Sequence, residues 1–369
     1  MMDSFSQQDT EWMQRALSLA ERARRLSPPN PSVGAVIVRD GRVLGEGFTQ
    51  EVGGPHAEVM ALRDAAARGE NVEGATIYVT LEPCSHYGRT PPCAKTLIEH
   101  KMGRVVAAIT DPNPAVAARG LNMLKEAGIE VTLGVCASEA WYMNAGFLTR
   151  MSTGLPWVRL KVAATLDGRT ALDDGRSAWI TGEMAREDNQ YWRGKAGAVV
   201  TGIGTVLADD PRMNVRLNDQ KRFPLKVVLD THLKCPTQAR LFEDGQTLVV
   251  AAHDPENRAG ALRARGAEVI FLPDETQQGV DLGKMLTLLA ERSVNEVHLE
   301  AGAMLNGAFL EAGLVDEILL YTAPCLFGSG KPIATILEPE TPGSALRWHL
   351  WEHKSVGNDL RTILLRRKL

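Results

Sequence analysis

Apolar residues at Met13, Ala16, Leu17, Ala20 and Ala23 recur at the spacing of one helix face, and the pattern ends before Ser27-Pro28-Pro29. This predicts a first helix over residues 10–26. Next, SVGAVIV and VLGEGF flank Asp40-Gly41, a pair that tolerates the positive φ angles of a two-residue hairpin turn, so two antiparallel strands are expected. A helical pattern over residues 57–68 stops at Gly69, a strand follows at ATIYVTL, and Pro91-Pro92 introduces a short helix. RVVAAIT, a helix over residues 121–127 ended by Gly128, and IEVTLGV continue the alternation that builds a sheet with helices on both sides.

From residue 144 to 156 the chain carries Gly146, Gly154 and Pro156 and shows no long period, which places a domain boundary near Arg150. The expected domains are residues 1–150 and 151–369. Alternation restarts with VRLKVAATL, a helix over 183–193, AGAVVTGIGT, LKVVLD, TLVVAA, EVIFL, a helix over 285–292 and EVHLEAG, predicting a second α/β sheet. The halves share no internal repeat.

A chain of 369 residues suits two cores better than one. No apolar run approaches the roughly 18 residues of a membrane helix, and the polar N-terminus lacks the pattern of a secretory signal. A cytoplasmic enzyme is expected. With 41 basic and 45 acidic side chains the net charge is −4, which argues against a protein that grips many phosphates of a nucleic acid. Five cysteines are an odd number, and in a reducing compartment Cys84 and Cys93, clustered with prolines and a histidine, point to metal or catalysis over disulfides. Cys136, Cys235 and Cys325 read as buried spectators.

His56-Ala57-Glu58 precedes a helix; Pro83-Cys84 and Pro92-Cys93 follow. Imidazole and two thiolates are zinc ligands, and three protein ligands leave the fourth tetrahedral position for water. Cys93 in a first helical turn gains thiolate character from the helix dipole. Glu58 is placed to carry protons between that water and a leaving amine. A His-x-Glu followed by Pro-Cys and a second Cys is the general signature of zinc-dependent nucleobase deaminases. Eight residues, SHYGRTPP, separate the cysteines where that signature has two, so Ser85, His86, Arg89 and Thr90 are candidates for holding a phosphate or sugar. His86 stays outside the metal shell. In the second half, Gly202-Ile203-Gly204 reads equally as half a dinucleotide fingerprint or as a tight turn, since Val206 stands where a third glycine belongs. Gly302-Ala303 opens a helix whose free N–H groups suit a phosphate.

GGPHAE, LEPCSHYGRTPPC and DPNPAVAARG, followed by KVAATLDGRTA, SAWITG, GTVLADDP and EAGAMLNGAFL, resemble the bifunctional riboflavin-biosynthesis deaminase-reductases over nearly the whole chain. The resemblance implies an N-terminal cytidine-deaminase-like three-layer α/β/α domain. It would act on 2,5-diamino-6-ribosylamino-4(3H)-pyrimidinone 5′-phosphate, with one Zn2+ per chain on His56, Cys84 and Cys93 and with Glu58 catalytic. It also implies a C-terminal dihydrofolate-reductase-like α/β domain that reduces the ribose to a ribityl chain with NADPH. Cofactor positions then fall on Ala163, Trp179, Thr205, Asp209, Thr231 and the run Gly302, Ala303, Met304, Leu305, Asn306, Gly307 and Ala308. Substrate positions fall on Asn30, Ser177, Arg193, Met213, Arg216 and Glu300, with Arg193 and Arg216 as phosphate clamps. A homo-oligomer, dimer or tetramer, is implied as well. Two departures stand out: Ala118 where glycine is usual, and Asn214 where threonine is common. The competing readings are a nucleic-acid deaminase, opposed by the negative charge and the second domain, and a noncatalytic zinc scaffold, opposed by Glu58. Lys161, Asp209 and Glu300 are the candidates for an acid in the reductive step.

Overall fold

The computed structural model describes residues 5–85, 92–112, 118–218 and 220–369. The chain divides into two compact units, one ending at Gly154 and the other spanning Leu155–Lys368. None of the described helices is long and apolar enough to cross a membrane.

The first unit contains α1 (Gln7–Ala23), β1 (Gly34–Arg39), β2 (Arg42–Phe48), α2 (Ala57–Ala67), β3 (Thr76–Val79), α3 (Cys93–Glu99), β4 (Arg104–Ala107), α4 (Arg119–Glu126), β5 (Glu130–Leu133), α5 (Ala137–Met143) and α6 (Ala145–Thr153). Helix α1 starts three residues earlier than its apolar pattern because Ser6 caps it, accepting the Asp9 amide at 3.0 Å. The sheet order is β2-β1-β3-β4-β5, antiparallel across β2, β1 and β3 and parallel from β3 to β5. Alternate residues divide between two cores. Ala35, Ile37, Ile77, Val79, Val105 and Ala107 face α2, α3 and α4. Val36, Val38, Tyr78 and Val106 face α1 and α5. The hairpin turns at Asp40 (φ 49°) and Gly41 (φ 72°), the two positive angles its sequence suggests.

The stretch from 144 to 156, expected to be irregular, holds α6. The buried residues Ala145 and Leu148 pin that helix, and Gly154 ends it in the left-handed conformation at φ 76°. Among the cysteines read as spectators, Cys235 is buried, whereas Cys136 and Cys325 are only partly so.

The second unit contains β6 (Trp157–Thr165), β7 (Arg169–Ala171), α7 (Glu183–Lys195), β8 (Ala198–Gly202), α8 (Ile203–Asp209), β9 (Leu225–Leu229), β10 (Thr247–Ala251), α9 (Ala259–Ala264), β11 (Ala267–Phe271), α10 (Leu282–Glu291), β12 (Glu296–Leu299), α11 (Ala303–Glu311), β13 (Glu317–Ala323), β14 (Lys331–Pro332), β15 (His349–Val356) and β16 (Asp359–Leu365). Nine strands order as β11-β10-β9-β8-β12-β6-β13-β16-β15; the first seven are parallel, and β16 runs antiparallel to both of its neighbours, β13 and β15. One face is apolar, with Val158, Leu160, Val162, Val297 and Leu299 against Met285 and Leu289 of α10 and Phe309 of α11. The opposite face of the central strands is partly charged. Arg159 donates to Glu317 at 2.6 Å and to Glu296 at 2.9 Å, Trp157 Nε1 donates to Glu317 at 2.8 Å, and the Arg159 guanidinium lies 4.6 Å from the ring centre of Trp192 on α7.

In the first unit, α2 rests on β2 with no side chain between them at two points. A β-carbon on Gly47 would lie 2.4 Å from the Ala57 carbonyl oxygen and from the Ala61 amide nitrogen, and one on Gly45 would lie 2.2 Å from the Ala61 carbonyl oxygen. Backbone cannot swing aside as a side chain can. Gly47→Ala is therefore expected to destabilise the first unit by about 1–3 kcal/mol, read as a lowered urea midpoint; an unchanged midpoint would show that the helix slides freely.

Candidate functional site

His56 is the N-cap of α2, Cys84 follows the end of β3, and Cys93 opens α3 directly after Pro92. Their ligand atoms lie within 4.8 Å of one another. His56 Nδ1 is 3.6 Å from Cys84 Sγ and 3.3 Å from Cys93 Sγ, and the Cys93 amide donates to Cys84 Sγ at 3.3 Å. The hydrogen bond from the Cys93 thiol, ahead of the His56 contact, pulls Cys84 down to about 4; the Cys84 thiolate and burial push Cys93 up. Two thiols sharing one proton beside an imidazole nitrogen form a donor set that fits a divalent soft or borderline cation, which takes both as thiolates. Glu58, in the first turn of α2, is 3% exposed, and burial followed by the Cys84 charge pushes its carboxyl up to about 7. A carboxyl of that kind can take and return a proton near neutrality, and a cation at the adjacent ligands favours its ionised form.

Glu82, which motif reading passed over, anchors this corner. Its carboxylate is 6% exposed and accepts the amides of Asp111 (3.1 Å), Ala118 (3.0 Å), Gly120 (2.9 Å) and Leu121 (3.5 Å), so it caps α4 from outside the helix. Gly120 completes the clamp, since a β-carbon there would meet the Pro83 carbonyl oxygen at 1.9 Å. The segment leading into Cys84 is thereby tied to the loop before α4. The only available signal in the sequence was position, two residues before a ligand. Ser85 lies among the described residues; His86, Arg89 and Thr90 lie outside them. Asn30 sits in the turn after α1, with its backbone N–H donating to the Ser27 carbonyl at 2.9 Å.

In the second unit, the residues named for cofactor and substrate are scattered over residues 163–308, and six of them lie at or just beyond the carboxyl ends of parallel strands. Ala163 lies near the carboxyl end of β6, Thr205 and Asp209 follow β8 on α8, Thr231 follows β9, and Glu300 and Gly302 follow β12. These strands are parallel, so their carboxyl ends share an edge, where open α/β sheets bind ligands. Trp179 is 77% exposed with Arg186 stacked 4.7 Å from its ring centre, and Met304 is 75% exposed in the first turn of α11. Gly302 and Gly204 have open space where a β-carbon would stand. These open, flat and uncrowded positions fit a dinucleotide.

Not all of the run 302–308 faces outward. Asn306 is buried and donates to the Ile333 carbonyl at 2.8 Å, and Gly307 lies where a β-carbon would meet the Thr335 carbonyl oxygen at 1.8 Å. These two hold α11 to the segment 333–335. Arg193, expected as a phosphate clamp, donates to both oxygens of Glu300 (2.5 and 2.7 Å) and to the Asn214 carbonyl (3.1 Å), so it serves as the partner of Glu300. Arg216 is exposed and contacts Asn214 Oδ1 at 3.2 Å. Met213 is buried with φ 53°, and Ser177 is half-buried in the loop between β7 and α7. Burial pushes the Glu300 carboxyl up, but the Arg193 charge and hydrogen bonds and His298 outweigh it and hold the group well below the usual carboxylate range.

The first unit thus has the fold and ligand set of a zinc-binding deaminase, and the second has the sheet edge of a reductase that uses a dinucleotide. Residues 6–109 match the cytidine and deoxycytidylate deaminase zinc-binding region, and residues 156–362 match the RibD C-terminal domain. The riboflavin biosynthesis protein RibD of Escherichia coli is 43% identical over 366 residues, covering 96% of this chain and 98% of its own; that of Haemophilus influenzae is 42% identical, covering 98% of both. Among solved structures, RibD of Acinetobacter baumannii matches with a TM-score of 0.84 at 43% identity. The diaminohydroxyphosphoribosylaminopyrimidine deaminase/5-amino-6-(5-phosphoribosylamino)uracil reductase of Thermotoga maritima matches at 0.86 and 32%. Each of these two structures covers 97% of this chain and 98% of its own. The chain belongs to the RibD family, the bifunctional deaminase-reductases of riboflavin biosynthesis.

Ala118, the departure noted in the sequence, is the N-cap of α4 at φ 60°, a left-handed conformation that costs an L-residue about 1–2 kcal/mol. Glycine carries no such penalty but loses more chain entropy on folding, offsetting about half of the gain. Ala118→Gly is expected to stabilise the first unit by up to about 1 kcal/mol, measured by chemical denaturation; a lowered midpoint would contradict the assignment.

Proposed function

We propose that the unit ending at Gly154 hydrolyses an amino group from 2,5-diamino-6-ribosylamino-4(3H)-pyrimidinone 5′-phosphate. The unit from Leu155 then reduces the ribose of the product to a ribityl chain, giving 5-amino-6-ribitylamino-uracil 5′-phosphate. The carrying observation is the buried Glu58 carboxyl beside the His56, Cys84 and Cys93 donor set, in a chain of this family. His56, Cys84 and Cys93 would hold zinc, which when bound acts as a Lewis acid and lowers the pKa of a water toward roughly 7. Glu58 takes a proton from the attacking water as the water oxygen bonds to the amine-bearing carbon, and returns it to the amine, which leaves as ammonia when the C–N bond breaks. The same reading takes the reaction to be cytoplasmic, which a reducing compartment for the thiol ligands supports. A homo-oligomer is part of the same reading.

NADPH, when bound at the carboxyl edge of the second sheet, supplies the hydride. The chain's own part is to hold the opened sugar and furnish a proton. Of the three acid candidates, Glu300 is kept ionised by Arg193 and can only accept, and Asp209 is exposed on α8. Lys161 lies on β6 on the charged face; burial pulls its ammonium pKa down against the opposing effect of Glu300, which makes it a readier donor. We assign the proton to Lys161 and the phosphate to Arg216, with Glu300 accepting from sugar hydroxyls.

Glu58→Gln is expected to keep its zinc by metal analysis and to lose ammonia release by about 10²–10⁴-fold. NADPH oxidation with the already deaminated substrate should persist in the same protein. Ammonia release near the wild-type rate would remove Glu58 from the proton path. Lys161→Met should reverse the pattern, lowering NADPH oxidation by about 10²-fold or more with ammonia release intact; unchanged oxidation would return the donor role to another group.

A further inference from the structure

Glu300 is held by more than Arg193. Asn189 Nδ2 donates to Glu300 Oε1 at 3.2 Å, and His298 Nε2 lies 3.1 Å from both Glu300 Oε1 and Asn189 Oδ1. Both neighbours of Nε2 are acceptors, so Nε2 carries the proton and the ring donates toward both. His298 is wholly buried, and burial outweighs the Glu300 contact to hold its pKa below the usual histidine value, so the ring is neutral and has that single donor to offer. It projects from β12 beside Arg159 of β6, its cross-strand neighbour, on the face that α7 covers with Asn189, Trp192 and Arg193. A histidine between Val297 and Leu299 has no place in the apolar core on the other side of the strand.

We propose that His298 and Asn189 act as a pair of positioning residues that fix the Glu300 carboxylate for the sugar, each holding the other in the orientation that serves Glu300. The proposal rests on the reading of Glu300 as a substrate contact. Arg193 supplies the charge that keeps Glu300 ionised. The pair supplies a third and fourth direction of restraint, both converging on Oε1. A carboxylate tied by Arg193 alone can pivot with the guanidinium plane. Tied also to a strand residue and to a residue one helical turn before Arg193, it cannot.

The test uses the full-length enzyme with its deaminated substrate and NADPH, with ammonia release by the first unit as an internal control. His298→Leu is expected to raise the reductase KM about tenfold, the loss of one charge-assisted hydrogen bond, with kcat within about twofold and ammonia release unchanged. His298→Gln, which restores an N–H donor, should return KM to within about threefold of wild type. Asn189→Ala should raise KM similarly, and the double variant should be no worse than the worse single one. Product binding by calorimetry should weaken in step with KM. An unchanged KM in His298→Leu, strictly additive single effects, or a fall in kcat without a change in KM each overturns the proposal. If His298→Leu does not fold, His298→Gln and Asn189→Ala decide it on the same terms. Glu300→Gln separates the two levels: no change in its KM refutes the reading of Glu300 itself, whereas a raised KM there beside normal values in the pair refutes only the positioning role.

Discussion

Withdrawing a carboxylate from water is the costly operation on which both units depend, and each unit meets the cost with different partners. Glu317, fully buried, is met by Arg159 and the Trp157 indole; Glu300 by Arg193, Asn189 and His298; Glu82 by backbone amides at the start of α4. Glu58 is compensated least. Burial dominates its environment, and the Cys84 thiolate adds to it, so its carboxyl rises to about 7 while the Glu300 and Glu317 carboxyls fall. For Glu300 and Glu317 desolvation is the largest single effect, and the arginine charge and the hydrogen bonds together outweigh it; for Glu58 the nearest groups are those that would bind a cation. Glu317 and Glu82, satisfied by the protein, hold shape, and Glu58, left for an incoming charge, is suited to moving protons.

Chain direction does the rest of the gathering. In the first unit the metal donors come from the starts of α2 and α3 and from the segment after β3, and the first amide of α3 donates to the Cys84 sulfur. The seating of α2 on Gly45 and Gly47 fixes where His56 and Glu58 stand relative to the sheet. In the second unit seven parallel strands deliver residues more than a hundred positions apart to a single edge. The elements that carry the cores also aim His56, Glu58 and Cys93 in the first unit and Ala163 in the second.

Much of this was legible in the sequence wherever a local rule sufficed. Asp40-Gly41, Gly69 and Gly128 mark a turn and two helix ends because each needs a positive φ, and the structure gives all four residues one. The metal donors were legible because an imidazole, a carboxylate and two thiols in that order, each thiol behind a proline, suit little chemistry besides a catalytic metal. What escaped reading depends on partners far away in the chain. Helix α6 was hidden by Gly146 within it and by Gly154 and Pro156 just after it, yet the residue before it, Asn144, reaches back to Ser32 through two hydrogen bonds of 2.7 and 3.0 Å. Arg159, His298 and Glu317 alternate with apolar neighbours, which reads as strands with one wet face; that face is covered by α7, and the partner of Arg159 lies 158 residues away. A strand's own pattern gives the period of its burial, not what will cover its polar side.

The same distinction separates the two arginines that the family resemblance treats alike. Both lie near the carboxyl edge, and a guanidinium in isolation suits a phosphate in either place. The structure engages Arg193 on three sides, with the two Glu300 oxygens and the Asn214 carbonyl, whereas Arg216 stays exposed and its guanidinium meets the side-chain oxygen of Asn214. Asn214 also donates to Asp244 Oδ2 at 3.0 Å, so an amide standing where threonine is common links the arginine that faces outward to the backbone that receives the one facing inward. Asn214 meets its two partners from two separate atoms, its oxygen toward Arg216 and its amino group toward Asp244, where a hydroxyl would have to accept and donate through one. The two arginines therefore differ in what the fold leaves them: Arg193 is committed to a carboxylate and a carbonyl, whereas the Arg216 guanidinium meets solvent and the Asn214 side chain.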